Sequence, residues 1–340
     1  MKKSISLLIF CIFFLYAKSQ DNTQHISLTK YTIPLHVTGA EIGKIITEKG
    51  AKTSLVRDTA NIFALDKNGI LRLKPNKNLT ETSPFRYEIT IKSGKTKKCF
   101  EVVSDNFIKN KVIAHRGAWK HHDVHQNSLG ALKKAIEIGC EGSEFDVWLT
   151  KDNRVALNHD YTINGLVVEE TDLSEMQKII LESGEVMTTL EEYIDCIKTQ
   201  NRTRLVLEIK SNKENKRAIT LADSVVSIIH RMKAQAWIDY ISFDYGALQR
   251  IRDLDPSACL SYLEADRTLE TQKKDGMNGI DYHFSHFDKD KKLYDNARML
   301  GLTINVWTVN EEVLMNKFLR MDVDYITTDE PRLLLKLIKQ

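Results

Sequence analysis

Histidines, carboxylates and basic residues lie at the ends of short apolar segments in the C-terminal part of this 340-residue chain. Three carboxylates without nearby thiols form a hard-oxygen set of the kind that binds Mg²⁺ or Ca²⁺. Histidines beside such a set can act as general acid and base near neutral pH. By spacing alone, a salt-bridge network of the carboxylates with the basic residues is an equal alternative. The residues concerned are His115, Arg116, Glu144, Asp146, His159, Glu208, Lys210 and Trp307.

The segments that position these residues alternate between short apolar strands and helical stretches over residues 110–340. This order predicts the α/β class and a (β/α)8 TIM-type barrel, whose active site is formed at the C-terminal strand ends. An open, doubly wound sheet is the alternative, but no glycine-rich dinucleotide turn follows the first strand. The predicted strands are 112–115, 144–149, 205–209, 240–243, 259–263, 280–284, 304–308 and 325–328, and the helices include 128–138, 190–198, 218–232 and 289–300.

One connection is too short for the usual strand–helix–strand unit. Only a turn at 151–153 and a short apolar stretch separate Asp146 from His159. A parallel crossover needs a dozen or more residues for the connection alone, whereas an antiparallel return needs only a few. We therefore predict that residues 154–158 run back against the second strand, with Trp148 opposite Ala156. This places His159 beside the acidic residues.

Residues 26–105 have the pattern of a small all-β sandwich. Apolar and polar residues alternate over 85–92, and residues 63–73 read as strand, turn and strand around Asn68-Gly69. The Phe-x-Leu-Asp-x-x-Gly-x-Leu pattern resembles a cadherin-type repeat, although the acidic calcium motifs of cadherins are missing. We interpret this segment as a β-module beside a catalytic domain and assign it no partner.

Residues 1–19 have the pattern of a secretory signal peptide. Two lysines precede an apolar run from Ile5 to Tyr16, and small residues stand at a cleavage position. Twelve residues are too few to span a bilayer, which needs about twenty. Three of the 49 basic residues lie in this segment, so the remainder balances the 46 acidic ones. We expect a secreted or periplasmic protein without a nucleic-acid partner or stable membrane insertion, whose remaining cysteines are buried thiols.

The ordered motifs of residues 112–331 resemble those of the glycerophosphodiester phosphodiesterase family. They are Val112–Gly117 with His-Arg-Gly, Gln126–Gly139, Glu144–Val147, Asn158–Asp160 with Asn-His-Asp, Leu207–Lys210, Val306–Asn310 and Ile326–Pro331. The resemblance implies hydrolysis of a glycerophosphodiester to sn-glycerol 3-phosphate and an alcohol. It also implies that His115 and His159 are the acid/base pair. By the same resemblance, one divalent cation, Ca²⁺ or Mg²⁺, is held by Glu144, Asp146 and Glu208, while Arg116 and Lys210 contact the phosphate.

The chain departs from the family pattern after the first strand. Gln126 stands where the family usually has glutamate, so a supporting contact to the site is lost or changed. Histidines 121, 122 and 125 crowd the same loop, and we favour a solvated loop over a second metal site. Trp307 either stacks on substrate or is a buried rim residue. His283 and His286 are interpreted as structural.

Two other functions fit the same residues. A lysophospholipase D-like lipid phosphodiesterase of the same superfamily would need an apolar rim for an acyl chain. The short segment between His159 and Glu208 offers little room for such a rim. A non-catalytic surface-binding protein would use the β-module for attachment and a decayed barrel, but the intact set of histidines and carboxylates argues against decay.

Overall fold

The computed structural model of the protein describes residues 26–47, 51–212 and 217–339. An all-β part spans residues 26 to 104, and a barrel part with strands and helices follows from residue 112. The signal segment 1–19 expected from the sequence lies outside the described residues. Within the described ranges, no helix combines the length and apolar character that crossing a membrane requires.

The all-β part consists of two four-stranded sheets. One sheet has the order β1 (Ile26–Leu28), β3 (Glu41–Thr47), β6 (Ile70–Leu73) and β5 (Phe63–Leu65), and the other has the order β2 (Thr32–Ile33), β8 (Thr96–Ser104), β7 (Arg86–Ser93) and β4 (Thr53–Asp58). The two sheets touch where the rings of Phe63 and Tyr87 meet edge to face, 5.6 Å apart. The predicted sandwich is therefore confirmed, whereas the likeness to cadherin repeats is not confirmed.

Alternation of side chains explains why these segments form a sandwich. Tyr87, Ile89 and Ile91 of β7 are buried, and the residues between them are more exposed. Between β5 and β6, the Asp66 carboxylate accepts the backbone N–H groups of Asn68 and Ile70 at 2.8 and 3.0 Å. Gly69 completes the turn at a φ of +79°, a conformation that favours glycine.

Eight parallel strands close into a barrel in the C-terminal part. They are β9 (Val112–Ala114), β10 (Gly142–Leu149), β14 (Arg204–Ile209), β15 (Ile238–Ser242), β16 (Cys259–Tyr262), β17 (Gly279–His283), β18 (Thr303–Trp307) and β19 (Tyr325–Thr328). Neighbours along this order are hydrogen-bonded, and β19 pairs with β9 to complete the circle. Three short strands follow β10, namely β11 (Val155–Leu157), β12 (Thr162–Ile163) and β13 (Leu166–Val167). The predicted (β/α)8 barrel is confirmed.

The helices lie between the strands, as a (β/α)8 chain requires. They are α1 (Leu129–Ile138), α2 (Leu173–Met176), α3 (Leu190–Ile197), α4 (Ala218–Met232), α5 (Tyr245–Leu254), α6 (Leu269–Lys274), α7 (His286–Lys289), α8 (Leu293–Met299), α9 (Glu312–Arg320) and α10 (Pro331–Ile338). The helix predicted over 289–300 is present as α8, but it begins at Leu293, because residues 290–292 separate it from α7. Asp290 is extended there, and its carboxylate accepts the backbone N–H of Lys292 at 2.9 Å. A short aspartate side chain competes with helical hydrogen bonds in this way.

The predicted antiparallel return after β10 is confirmed. Trp148 lies opposite Ala156 in the ladder between β10 and β11. The backbone N–H of Asn158 continues the pairing by donating to the carbonyl of Asp146 at 3.2 Å. The next residue, His159, is therefore delivered to the barrel mouth by a hairpin and not by a helix.

The sandwich contacts the barrel through the loops that lead from helices into strands. Asn201, between α3 and β14, donates to the carbonyl and hydroxyl of Ser104 at 2.9 and 3.0 Å. Tyr31 of the sandwich is hydrogen-bonded to Ser257, in the loop between α5 and β16. These loops lie at the N-terminal ends of the barrel strands, so the sandwich covers the end opposite the strand termini that carry the polar residues.

The cysteines of the described residues are free thiols. Cys140 is buried, as predicted, and Cys99, Cys196 and Cys259 are half-buried. Burial raises the pKa of the Cys140 thiol to about 12, which keeps it protonated and unreactive at neutral pH.

A buried carboxylate that is hydrogen-bonded to a histidine beside this contact should contribute pH-dependent stability. The Asp255 carboxylate lies 2.8 Å from Nε2 of His230. Burial alone would raise the pKa of Asp255, but hydrogen bonds from His230 and Ser257 outweigh it and lower that pKa. Because the folded pKa lies below the unfolded value, the stabilisation is present above about pH 4 and is lost as the pH falls through the folded value.

We therefore expect Asp255→Asn to lower the free energy of unfolding by about 1–3 kcal/mol near pH 7. The difference from wild type should shrink below about pH 4. Urea unfolding between pH 3 and 7 measures both. Asp223→Asn is the control, because its ion pair with Arg250 links the same helices but is solvent-exposed, so it should change stability by under about 1 kcal/mol. An equal loss in both variants, at every pH, would contradict the assignment.

Candidate active site

The structure brings the polar residues singled out in the sequence to one end of the barrel. They come from different strands: the end of β9, the middle of β10, the end of β14, the β11 hairpin and the end of β18. A cavity of about 130 Å³ opens between them. Its lining includes His115, Arg116, Glu144, His159, Glu208, Lys210 and Trp307. Asp146 lies against Lys210 at the edge of the same cavity.

Three carboxylates form the charged centre of this cavity. Glu144, Asp146 and Glu208 are 3%, 1% and 7% exposed, and one oxygen of each lies within 4.8 Å of the others. Oε1 of Glu144 is buried without a hydrogen-bond donor among the described residues. An all-oxygen donor set with an uncompensated buried oxygen fits a hard divalent cation.

Two basic residues balance part of this charge. Nζ of Lys210 lies 2.8 Å from Asp146 and 2.8 Å from Glu208, and Nε of Arg116 lies 3.8 Å from Asp146. The salt-bridge network and the metal-capable cluster that the sequence left as alternatives are thus the same residues. Among the described residues, Glu144 has no salt-bridge partner, so the network compensates only part of the carboxylate charge.

The pKa values follow this unequal compensation. Burial raises the pKa of Glu144, and the charges of Asp146 and Glu208 raise it further. Burial likewise raises the pKa of Glu208 to about 8. Asp146 differs: burial opposes its ionisation, but the Lys210 and His159 charges lower its pKa. Asp146 is therefore the carboxylate that the protein itself keeps ionised.

Backbone geometry fixes Arg116 above the cluster. Arg116 has a φ of +57°, in the left-handed region that side chains rarely adopt, and its N–H donates to Oε2 of Glu144 at 2.8 Å. Its guanidinium donates to Oε1 of Gln126 at 2.8 Å. The amide oxygen of Gln126 thus keeps a hydrogen bond to the arginine, although the family carboxylate is missing.

Asn127 also supports the site, and the sequence analysis assigned it no role. Its Nδ2 donates to Asp146 Oδ2 at 2.9 Å, and its Oδ1 accepts the backbone N–H of Asp146 at 3.0 Å. The motif Gln126-Asn127-Ser128 was visible in the sequence. Only the fold shows that its asparagine holds a carboxylate of the neighbouring strand.

His115 is oriented by a second residue that the sequence analysis missed. Its Nδ1 lies 2.7 Å from Oδ1 of Asp329, which follows β19. Asn310 Nδ2 donates to the other Asp329 oxygen at 2.7 Å. Burial opposes ionisation of Asp329, but the hydrogen bond from His115 lowers its pKa. The Nδ1 atom of His115 is therefore engaged, which leaves Nε2 for other partners.

His159 has a similar arrangement on the hairpin. Its Nδ1 lies 2.7 Å from Oδ1 of Asp160, and its backbone carbonyl accepts the indole N–H of Trp148 at 3.1 Å. Burial lowers the pKa of His159, against the opposing effect of Asp146. A neutral imidazole with one nitrogen engaged by a carboxylate can accept a proton on the other.

An apolar wall faces these polar groups across the cavity. Trp307, Phe243 and Leu263 line it, and the rings of Trp307 and Phe243 meet edge to face at 5.7 Å. Trp307 Nε1 donates to the backbone carbonyl of Asp281 at 2.9 Å. The two interpretations of Trp307 are therefore compatible, because one edge is anchored while the side chain lines the cavity.

Two histidines of the loop after β9 have partners within the protein. His121 lies 3.1 Å from Glu330, and His125 Nδ1 lies 2.7 Å from the carbonyl of Gln126. Across residues 26–47, 51–212 and 217–339, the group of histidine, cysteine and acidic side chains able to hold a metal is the Glu144, Asp146 and Glu208 cluster. His283 lies 2.9 Å from the hydroxyl of Ser285 and packs against Trp307.

The fold and this cavity define a TIM-barrel enzyme with an acidic, cation-competent mouth. A sequence profile of the Glycerophosphoryl diester phosphodiesterase family matches residues 115–333, which is more than half of the chain. The chain belongs to this family of hydrolases. A glycerophosphodiester phosphodiesterase of Caldanaerobacter subterraneus is 27% identical over 247 residues, covering 68% of this chain and 99% of that protein.

Solved structures of similar proteins agree with this family assignment. A glycerophosphodiester phosphodiesterase from Parabacteroides distasonis superposes with a TM-score of 0.65 at 38% identity, over 69% of this chain and 98% of that one. A phosphodiesterase from Oleispira antarctica, solved with the product sn-glycerol-3-phosphate, has a TM-score of 0.62 at 24% identity and covers 68% and 97%. At 24% identity, this similarity shows only that the two proteins share a fold. The all-β part lies outside the family match.

Gly117 should be essential to the position of Arg116. It has a φ of +81°, and a Cβ built there would lie 2.6 Å from the Cβ of Ala131 in α1. Gly165 has a φ of +78° with open space around it, so Gly165→Ala isolates the cost of backbone conformation, about 1–2 kcal/mol. We expect Gly117→Ala to cost a further ~1–3 kcal/mol through the steric clash, measured by urea unfolding. Equal losses in the two variants would refute this packing role.

Proposed function

We propose that this protein hydrolyses glycerophosphodiesters to sn-glycerol 3-phosphate and an alcohol, in a metal-dependent reaction with His115 and His159 as acid and base. The observation that carries the proposal is the composition of one cavity. Two carboxylate-oriented histidines, a buried oxygen-only cluster and two basic side chains converge there. Family membership supports the substrate class.

The basic residues would bind the anionic phosphodiester. Arg116 presents a planar, permanently charged guanidinium, which suits phosphate oxygens. Lys210 has its pKa raised by Asp146 and Glu208, despite burial, so it stays protonated. Both residues would stabilise the additional negative charge that develops on phosphorus-bound oxygens in the transition state.

The histidines would move the protons. Both engage Nδ1 with a carboxylate, at 2.7 Å in each case, so Nε2 is the atom for proton transfer. One imidazole removes a proton from the attacking group, either water or the glycerol 2-hydroxyl, as its oxygen bonds to phosphorus. Attack by the 2-hydroxyl forms a cyclic phosphate, which water then opens to sn-glycerol 3-phosphate. The other donates a proton to the leaving alkoxide as its bond to phosphorus breaks. The proton taken up and the proton given balance over the complete reaction.

Glu144, Asp146 and Glu208 would hold one divalent cation, Ca²⁺ or Mg²⁺. Such a cation, when bound, supplies positive charge to the phosphate oxygens. The free Oε1 of Glu144 and the raised pKa values of Glu144 and Glu208 support this role, because a buried carboxylate pair without full compensation favours a positive partner.

The lipid phosphodiesterase remains the second candidate, because one surface favours it. The segment between His159 and Glu208 exposes apolar side chains at Tyr161, Leu166, Ile180 and Val186. The volume of the cavity, about 130 Å³, favours the smaller substrate instead, since it is too small to hold an acyl chain. Turnover of glycerophosphocholine and lysophosphatidylcholine by the same preparation distinguishes the two, and turnover of neither supports the non-catalytic alternative.

We also propose export to the periplasm or the medium, with removal of residues 1–19, and two structural units at 26–105 and 110–340. The lysine-led apolar segment and the two separate sheet systems support these points. N-terminal sequencing of the protein purified from the native host, together with cell fractionation, tests the export. An intact Met1 in a cytoplasmic fraction would contradict it.

His115→Ala and His159→Ala should each lower kcat by about 10²–10⁴-fold, because each removes one proton-transfer group. Initial rates on glycerophosphocholine with saturating Ca²⁺ or Mg²⁺ measure the effect, and circular dichroism checks the fold. His121→Ala is the matched control, since His121 is exposed near the mouth and contacts Glu330. A near wild-type rate in either barrel variant would remove that histidine from the mechanism.

Chelation should abolish activity, and Ca²⁺ or Mg²⁺ should restore it. The cation should also raise Tm, because a ligand that binds only the folded state contributes about 2.7 kcal/mol at a hundredfold excess over Kd. Glu208→Gln should weaken both responses, whereas Glu175→Gln, at an exposed ion pair, should leave them unchanged. Full activity and an unchanged Tm after exhaustive chelation, with no metal found by elemental analysis, would rule out the cluster as a metal site.

A further inference from the structure

A layer of polar side chains lies inside the barrel below the cavity. Such layers are usually filled by valine, isoleucine and leucine. Here Asp281, Asn305 and Thr327 occupy adjacent strands β17, β18 and β19 and are 1%, 6% and 3% exposed. Asn305 Nδ2 donates to Asp281 Oδ2 and to Thr327 Oγ1, both at 2.9 Å. Asn305 thereby holds the carboxyl of Asp281 in one orientation.

The second carboxyl oxygen of Asp281, Oδ1, has no partner of this kind in the described part of the chain. Among the described residues, Oδ1 has no hydrogen-bond partner although it is fully buried. Asp281 and Thr327 both line the cavity that contains the histidines and the acidic cluster. Asp281 also lines a smaller neighbouring cavity of about 50 Å³, so it lies between the two spaces. A buried polar atom without a partner destabilises the fold, and a bound water or a group of the substrate would supply the missing hydrogen bond.

We propose that Oδ1 of Asp281 binds a hydroxyl group of the glycerol moiety of the substrate and makes Asp281 a specificity-determining residue. This inference rests on the proposed function and deepens it. The hydroxyl concerned is the terminal one, which lies farthest from phosphorus and can extend toward the cavity floor. The secondary hydroxyl, adjacent to the phosphate-bearing carbon, stays near the charged groups above.

The cavity floor is the layer formed by Asp281, Asn305 and Thr327. The carboxyl group of Asp281 favours a hydroxyl there over the other polar groups of the substrate. A phosphate oxygen would be repelled by a carboxylate and finds Arg116 and Lys210 higher in the cavity. Burying an ammonium group at an enclosed floor costs far more desolvation energy than burying a hydroxyl. Burial raises the pKa of Asp281 to about 7, and a hydroxyl pairs with a carboxyl in either protonation state, because it both donates and accepts.

The size of the cavity agrees with this assignment. About 130 Å³ corresponds to roughly four water molecules at their liquid volume. The apolar wall of Trp307, Phe243 and Leu263 can cover carbon atoms, while Asp281 receives the polar end. A three-carbon polyol presents both kinds of surface.

The experiment compares glycerophosphoethanolamine with an analogue that has propane-1,2-diol in place of glycerol. The analogue keeps the secondary hydroxyl and lacks the terminal one. Wild type should favour the natural substrate by about 10- to 100-fold in kcat/KM, as expected for a hydrogen bond to a charged group. Asp281→Ala should turn over both compounds with similar kcat/KM, and Asp281→Asn should show a ratio well below that of wild type.

The matched control is Asp239→Ala. Asp239 is a half-buried carboxyl of β15. It lines the smaller cavity, which Asp281 also borders, and it does not line the cavity that contains the histidines. It should keep the wild-type ratio. If Asp281→Ala does not fold by circular dichroism, Asp281→Asn decides the result, because it preserves the shape and the hydrogen bond from Asn305.

A third compound tests the competing assignment of an ammonium partner. Glycerophosphoethanol lacks the amine of glycerophosphoethanolamine and keeps the whole glycerol. Wild type and Asp281→Ala should respond alike to loss of the amine. A response to the amine that disappears in Asp281→Ala would overturn the proposal, as would equal turnover of the glycerol and propanediol compounds by wild type. Absence of turnover on every compound, with folded and metal-loaded protein, would instead overturn the proposed function.

Discussion

Like charges buried within a few ångströms of one another are the constraint around which the barrel mouth is organised. Ionised carboxylates in a low-dielectric interior repel strongly, and each also loses its hydration. The protein compensates with Lys210, which lies between Asp146 and Glu208, and with Arg116, which lies near Asp146. Among the described residues, Glu144 has no salt-bridge partner. Because the compensation is incomplete, buried negative charge is left that a further positive charge would neutralise.

The unusual backbone conformations near the barrel mouth occur at residues that hold the carboxylate cluster in place. Arg116 adopts a left-handed backbone conformation so that its N–H reaches Glu144, and Gly117 lets α1 approach closely behind it. Asn127 also has a left-handed backbone conformation, and its side-chain amide forms two hydrogen bonds with Asp146. The hairpin after β10 replaces a helix, which brings His159 to the cluster by the shortest path. Strain of this kind persists where surrounding contacts determine it, as at functional sites.

The sandwich acts at the other end of the barrel. Its contacts reach the loops between helices and strands, through pairs such as Ser104 with Asn201. Residues at this face of a TIM barrel typically serve stability, while loops at the opposite face serve function. The sandwich therefore leaves the cavity open to small molecules. The segment that follows His159 exposes apolar side chains, among them Tyr161 and Ile180.

Local patterns in the sequence were sufficient to predict much of the fold of this protein. Period-two alternation, the alternation of strands with helices and the short Asp146–His159 connection predicted the sandwich, the barrel and the hairpin register, because each of these patterns is local in the sequence. Tertiary structure alone decided the contacts between distant residues. Asp329 orients His115 from the last strand, Asn305 fixes one oxygen of Asp281, and Lys210 sits between Asp146 and Glu208. Whether a buried oxygen is paired or free depends on side chains that only the closed barrel brings together.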